Sequence, residues 1–395
     1  MMAMVLYFSG FSQWIVQKSY PGTKLNSVFF VDQNNGWAVG ERGTILHYNG
    51  IDWIKQVSPT TCFLASVFFY GANNGWAVGD SGTILQYDGT SWTKQPSGIP
   101  GWLISVFLTD AKKGWIVGND GVILKYNGKA WKLVNSGTIY SLCAVYCSDT
   151  NNGWIVGEGG KILKYDGFKW VLQKHVTYNG FYSVSFVDSS NGWAVGRNSS
   201  IEKAMLYRYN CTTGWTDQTD KEYELLNSVF FRKNNVGWAV GDNSTILKYD
   251  GNGWKKQSII GNNIMRRISA VYFVDDLKGW AVSWNGDILY TDNGGDSTTS
   301  IKSNICHNDN VLDNYPNPFS EATTIKYAVE KTGSVKINVY DDYGRKIETL
   351  VDEIKEQGEY LVILSGLNLK PGMYYCTLQT DHFIAGKKML VIKSP

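Results

Sequence analysis

Proline, cysteine and histidine are scarce in this chain of 395 residues, at 8, 6 and 4 copies. Few prolines leave the backbone free to donate along many strands, because proline removes a ladder hydrogen bond. The six cysteines (Cys62, Cys143, Cys147, Cys211, Cys306 and Cys376) show no zinc-type spacing. Cys143 and Cys147 lie close in sequence, but along a strand their separation gives no ligand geometry. They read as free or incidentally paired thiols. His47, His175, His307 and His382 are scattered, so metal and histidine chemistry is poorly supplied and neither metal nor cofactor is expected. No apolar run reaches the ~18 residues of a membrane span. An excess of one charge is missing too. The 37 basic and 35 acidic residues leave +2, and no basic cluster is long enough to grip nucleic acid.

Glycine (42) and tryptophan (16) are plentiful, with many Tyr, Val and Ile, the usage of short strands joined by tight turns. The length exceeds one ordinary core and points to two domains or a repeat array. A Gly-Trp-aliphatic-Val phrase recurs with its Trp at 37, 76, 115, 154, 193, 238 and 280, at intervals of 39, 39, 39, 39, 45 and 42 residues. The second unit shows the pattern. Strands are predicted at 65–69, 75–79, 83–87 and 91–95, separated by Gly71-Ala72-Asn73-Asn74, Asp80-Ser81-Gly82 and Asp88-Gly89. Four short strands per ~40 residues match a β-propeller blade, whose sheet hides both faces only when neighbours pack on it.

A second Trp series, in the fourth strand, runs 53, 92, 131, 170, 215 and 254 and is missing after Trp280. Its seventh copy stands at the other end, in Ser12-Gln13-Trp14-Ile15-Val16-Gln17-Lys18. The sequence therefore predicts an all-β, seven-bladed propeller over 13–296, closed by its N-terminal strand, a device that removes edge strands. Both Trp series belong to blade packing. Each buried indole hides ~150–250 Å², roughly 4–6 kcal/mol as an upper bound. The Tyr-Asn/Asp-Gly phrases at 48–50, 87–89, 126–128, 165–167 and 249–251 suit hairpins in which both central residues take positive φ. Unit five breaks this phrase at Tyr209-Asn210-Cys211 and carries an insertion around 197–204, so its blade is expected to be the least regular.

The turns between strands one and two and between three and four barely change from unit to unit, whereas the other two connections vary. Variable loops on a rigid frame are where binding usually resides. The candidate ligand-binding residues are Glu41, Asp80, Asp120, Glu158 and Asp242 in the second-to-third turns. Phe63, Trp102, Tyr140, Tyr178, Tyr223, Arg266 and Arg267 join them from the fourth-to-first loops. Acids with exposed aromatics suit a protein or glycan ligand, and no catalytic residue is assigned.

The phrase Leu25-Asn26-Ser27-Val28-Phe29-Phe30-Val31-Asp32 … Asn35-Gly36-Trp37-Ala38-Val39-Gly40 … Gly43-Thr44-Ile45-Leu46 resembles the photosystem II assembly and stability-factor propellers. That family shares its blade with the bacterial neuraminidase repeats. Thr291-Asp292-Asn293-Gly294-Gly295-Asp296 is similar to their Asp-box. The resemblance implies the propeller fold, and it makes a sialidase-type glycoside hydrolase the enzymatic alternative. Such an enzyme needs an Arg cluster and a Tyr–Glu nucleophile pair. The repeat region offers only Arg42, Arg197, Arg208, Arg232, Arg266 and Arg267, and no Phe-Arg-Ile-Pro-like motif.

After Asp296 a polar linker is read over 297–311. A small antiparallel sandwich is expected over 312–395, with strands at 323–328, 334–340, 346–350, 358–364, 373–379 and 388–393. Asn314-Tyr315-Pro316-Asn317-Pro318-Phe319, Val339-Tyr340-Asp341-Asp342-Tyr343-Gly344-Arg345 and Leu369-Lys370-Pro371-Gly372-Met373-Tyr374 recur there in a familiar order. Together with Lys387-Lys388-Met389-Leu390-Val391-Ile392 they resemble the type A C-terminal sorting domain of type IX secretion cargo. The resemblance implies that Lys387 to Ile392 carry the sorting signal and that the partners are the secretion machinery and its sortase. It also implies a secreted or surface-attached protein of a Gram-negative bacterium. Met1–Phe8 is apolar and Gly10-x-Ser12 places small residues before a cleavage point, so 1–12 read as the tail of an export signal, although a basic start is missing.

Overall fold

The computed structural model describes residues 14–176, 179–200, 202–220, 222–232, 235–259, 266–295, 312–329, 331–341, 345–380 and 384–392. The export segment and the linker read from the sequence lie outside the described residues. The chain divides into two compact units, Met1–Ser297 and Thr298–Pro395.

In the first unit each repeat folds as one antiparallel four-stranded sheet, and the described residues form seven of them. Sheet 1 holds Leu25–Asp32, Asn35–Gly40, Ile45–Tyr48 and Trp53–Lys55. Sheets 2 to 6 repeat this order, opening at Leu64, Leu103, Leu142, Asn179 and Leu226. Sheet 7 takes Ile268–Phe273, Gly279–Ser283 and Asp287–Thr291 from the last repeat and Ile15–Ser19 from the start of the chain. There Val16 pairs with Leu289 and Lys18 with Ile288. The first strand of each sheet packs on the first strand of the next, and that of sheet 7 packs on that of sheet 1.

The Gly-Trp phrase has a packing reason. A Cβ on Gly36 would lie 2.3 Å from the Phe30 ring, and one on Gly40 would lie 2.0 Å from the Lys24 carbonyl oxygen. Only glycine lets the first strand and its phenylalanine close down on the second strand. That phenylalanine then stacks on the second-strand Trp of the preceding sheet. Phe69 lies 3.8 Å from Trp37, Phe186 3.6 Å from Trp154, Phe273 3.4 Å from Trp238, and Phe30 3.8 Å from Trp280. The fourth-strand Trp meets the same ring edge-on, as Phe30 with Trp53 (5.7 Å, 89°) and Phe231 with Trp254 (5.7 Å, 87°). Trp14 repeats this arrangement on Phe273 at 5.5 Å and 89°. Trp14 is fully buried, and its indole N–H donates to Gln257 Oε1 over 2.9 Å.

Hydrogen bonds stitch the same seams. The Ser27 hydroxyl accepts from the Val67 amide (3.2 Å), Ser66 from Val106 (3.3 Å) and Ser183 from Val229 (3.1 Å). Between sheets 7 and 1, Ser269 Oγ donates to the Leu25 carbonyl at 2.5 Å.

Two local expectations change. In the third-to-fourth turns only the glycine takes positive φ, as Gly50 (89°) and Gly89 (100°), while the preceding Asn or Asp does not. That side chain instead caps a longer turn: Asn49 Oδ1 accepts from the amides of Ile51 (3.0 Å) and Asp52 (2.9 Å). In sheet 5 the insertion lengthens the second and third strands to Asn191–Asn198 and Lys203–Asn210.

The second unit packs two sheets around Phe319, Ile325, Val335, Ile337, Leu364, Cys376 and Met389. The three-stranded sheet orders Leu312–Tyr315, Ala322–Val329 and Gly358–Ser365; the four-stranded sheet orders Lys346–Lys355, Gly333–Asp341, Gly372–Thr380 and Ile384–Val391. The sequence reading missed Leu312–Tyr315, a four-residue strand with polar alternate positions that runs into Pro316. Burial pushes the Cys376 thiol up to about 12, which suits a core residue and not a nucleophile.

Replacing Trp14 with Ala is expected to cost about 3–5 kcal/mol in denaturant unfolding, because it empties a core position and orphans Gln257. The turn carboxylate of Asp88 is held at about 2 by hydrogen bonds from the Ser91 amide and from the Thr90 hydroxyl and amide. Its folded value lies below the unfolded one of about 4, so its stabilising contribution is complete above that pH and is lost as pH falls through about 2. NMR titration should place the Asp88 midpoint near 2, and Asp88→Asn should flatten this part of the acid-unfolding curve.

Candidate binding surfaces

The second-to-third turns and the fourth-to-first loops share one side of the sheets. Each turn is tied to the loop beside it. The amide of Glu41 donates to Lys24 O (2.8 Å), Asp80 to Phe63 O (2.9 Å), Glu158 to Ser141 O (2.9 Å) and Asp242 to Leu225 O (2.9 Å). In the third repeat this place belongs to Asn119, which donates to Trp102 O at 3.0 Å. Asp120 stands one residue further on, at a turn apex with φ of 55°. The candidate Asp120 thus stands exposed, one place beyond the residue that ties this turn to its loop.

The loop residues divide sharply. Phe63 and Trp102, at equivalent places in neighbouring repeats, bring their rings to 5.0 Å, and Trp102 keeps 38 % of its surface exposed. Tyr140 is exposed and receives the Lys161 ammonium over its ring at 4.9 Å. Tyr178 lies outside the described residues. Tyr223 is half-buried against the core between sheets 5 and 6, and its hydroxyl donates to Trp254 O at 3.4 Å.

Arg266 and Arg267 part company. Arg266 is 1 % exposed and donates from Nε to Asp287 Oδ2 at 2.6 Å; Asp287 also accepts from the Ser19 hydroxyl. It clamps the N-terminal strand into sheet 7 and is not a surface residue. Arg267 faces outward, 3.9 Å over the Trp284 ring and 3.6 Å from Asp242. Asp242 also accepts from Asn227 Nδ2 at 2.9 Å.

Trp284 is the rim residue that the sequence reading missed. Its indole N–H donates to Asn26 Oδ1 at 2.9 Å, and Lys24 lies 5.1 Å over its ring. Of the 16 tryptophans, only Trp102 and Trp284 stand outside the two repeating series, and that was the available signal.

A hollow lies on the other side, among the first-to-second turns. Its volume is about 1040 Å³, and Asp32, Asp149, Asp188, Asp275 and Arg232 stand in its wall. Towards its floor come Tyr146, Phe230 and Tyr272. Burial pushes both tyrosine hydroxyls up to about 12, so both stay neutral. Among the described residues no group of three or more His, Cys, Asp or Glu side chains is placed to hold a metal ion. No helix among them is long and apolar enough to cross a membrane.

In the second unit the motifs at the two ends of the sequence segment meet. Asn317 donates from Nδ2 to Lys388 O (2.8 Å) and accepts the Leu390 amide at Oδ1 (2.9 Å). The Phe319 amide donates to Leu390 O (2.9 Å), and the Ile392 amide donates to Phe319 O (2.8 Å). Lys387 pairs with Asp313 at 2.7 Å. Along this strand Met389 and Val391 are buried while Leu390 and Ile392 point outward.

Residues 313–393 match the family model of the secretion system C-terminal sorting domain, and residues 49–127 match that of the photosynthesis system II assembly factor YCF48. The chain is YCF48-like at its front and carries a secretion sorting domain at its back. Among solved structures, YCF48 bound to D1 peptide is similar at a TM-score of 0.57 and 17 % identity, over 73 % of this chain and 96 % of that one. YCF48 from Cyanidioschyzon merolae gives 0.57 and 17 %, over 71 % and 98 %. The WD40 β-propeller domain of Doa1 gives 0.60 at 12 % identity, over 71 % and 97 %. At such identities the YCF48 and Doa1 likenesses establish the β-propeller fold alone. No curated protein matches the chain. The sorting domain marks the YCF48-like chain for type IX export, to the cell surface or beyond.

Arg266→Ala strands the Asp287 carboxylate in the core and should cost about 3–5 kcal/mol in chemical unfolding. Arg267→Ala removes a half-exposed pair and should stay within about 1 kcal/mol of the parent.

Proposed function

We propose that the first unit, residues 13–296, is a closed ring of seven blades that works outside the cell as a non-enzymatic binding module. Residues 297–311 link it to the sorting domain at 312–395. Seven four-stranded sheets, the pairing of Ile15–Ser19 with Asp287–Thr291 and the packing of sheet 7 on sheet 1 support the closed ring. The sorting domain engages the type IX machinery and its sortase, with Lys387 to Ile392 as the signal. The bonds from Asn317 and Phe319 that hold this strand in place support that role.

The ligand, a protein or a glycan, is gripped on the rim of turns and loops. One observation carries this reading. Phe63 and Trp102 pack together on that rim at 5.0 Å and a tilt of 49°, with Trp102 open to solvent, although the repeat needs neither ring for its packing. Large aromatic side chains held rigidly at a surface anchor ligands at low entropic cost. Tyr140, Arg267 and Trp284 extend the rim, and Glu41, Asp80, Glu158 and Asp242 give it polar character.

Trp102→Ala should leave thermal unfolding near that of the parent. It should weaken capture of the ligand found on a glycan array or in pull-down from the cell surface by tenfold or more, about 1.4 kcal/mol. Unchanged capture removes the rim from the proposal. Turnover of fluorogenic sialosides by the purified chain would replace the binding role with hydrolysis.

A further inference from the structure

A circlet of aromatic rings stands among the first strands of the first unit, one from six of the seven sheets. Phe29 lies 4.8 Å from Phe68, Phe68 4.6 Å from Phe107, and Phe107 5.1 Å from Tyr146. From the other direction Phe29 lies 4.8 Å from Tyr272, and Tyr272 4.8 Å from Phe230. The remaining place, between Tyr146 and Phe230, falls to Ser185. Tyr146 leans towards this place, its ring 5.9 Å from that of Phe186 and its hydroxyl donating to Phe186 O at 2.8 Å, but among the described residues no ring contact joins that side to Phe230. Ser185 is buried, and its hydroxyl accepts the Phe231 amide at 3.0 Å, so its small side chain is used up on the neighbouring sheet.

The hollow borders this gap, lined by Tyr146 on one side and Phe230 on the other, while Ser185 itself lies buried behind its wall. The hollow of about 1040 Å³ reaches Tyr146, Phe230 and Tyr272 but not Phe29, Phe68 or Phe107. It opens among turns whose carboxylates, Asp32, Asp149, Asp188 and Asp275, share its wall with one cation among the described residues, Arg232. Arg232 is already committed, with 2.6 Å to Val274 O and 3.0 Å to Asp276. The opening is therefore acidic and its floor aromatic.

We propose that this hollow binds a basic peptide segment and that an aromatic side chain of the segment takes the vacant seventh place between Tyr146 and Phe230. An inserted ring meets neighbours at the spacing the other six already keep, and flanking lysines or arginines meet the carboxylates at the mouth. The site lies on the opposite side of the sheets from the Trp102 rim and stands independently of it.

The test is calorimetric titration of the full chain with three pentapeptides: Lys-Lys-Phe-Lys-Lys, Lys-Lys-Ala-Lys-Lys and Glu-Glu-Phe-Glu-Glu. The first should bind at least about tenfold more tightly than either control, and added salt should weaken it. Ser185→Phe fills the gap from within and should lower affinity for the first peptide by about tenfold or more. Should that variant fold poorly, Asp149→Asn with Asp188→Asn serves in its place. Asparagine keeps the Oδ1 acceptor that caps each turn, at 2.8 Å from the Asn151 amide and 2.6 Å from the Ser190 amide, and removes the charge together with the second acceptor, which serves the Asn152 and Asn191 side chains. It should lower affinity about threefold or more. Equal binding of the phenylalanine and alanine peptides, no binding of any peptide at about 1 mM, or variants that bind like the parent would each overturn the proposal.

Discussion

The first unit depends on one contact repeated around it, a second-strand tryptophan packed on the next sheet, at five of its seven seams flat on a phenylalanine and at the others against Leu108 or Cys147. Trp280 on Phe30 and Trp238 on Phe273 are the same event at different seams. A four-stranded sheet of this kind has two apolar faces and no core of its own, so neighbours are its only shelter from water. The glycines of the Gly-Trp phrase exist to let this contact form. Serine hydroxyls that cross five of the seams then fix register, which apolar contact alone leaves loose.

That dependence explains which parts of the molecule were legible beforehand. Period, strand count per repeat and the displaced Trp14 all follow from a packing demand that recurs every 39 residues or so, and each is visible as a spaced letter in the chain. The strands of the second repeat sit within a residue of where alternation and turn residues put them. The sandwich motifs were equally plain, although the short strand Leu312–Tyr315 carries too few apolar letters to announce itself.

Side-chain direction was not legible. Arg266 and Arg267 are neighbours of identical chemistry, yet one step along a strand entry sends the first into the core against Asp287 and the second out over Trp284. Asn119 and Asp120 divide the same way within a turn: the first bonds the Trp102 carbonyl, and the second stands at the apex. Tyr223 looked like a rim aromatic because its loop varies, but its ring belongs to the seam between sheets 5 and 6. Ser185 was readable in principle as the one small residue in an otherwise aromatic column. Seeing what it leaves open required the ring contacts on either side.

Sheet 7 has a consequence for biogenesis. Its outer strand is made first and its inner three last, more than 240 residues apart. A nascent chain therefore carries Ile15–Ser19 unmatched until the whole array has emerged, and a chain nicked near its front presents the Asp287–Thr291 edge bare. Either species exposes a templating surface that the pairing of these two strands conceals. Completion of the fold is thus registered at a single joint, and quality-control factors that survey strand edges could distinguish finished from unfinished molecules there before transport.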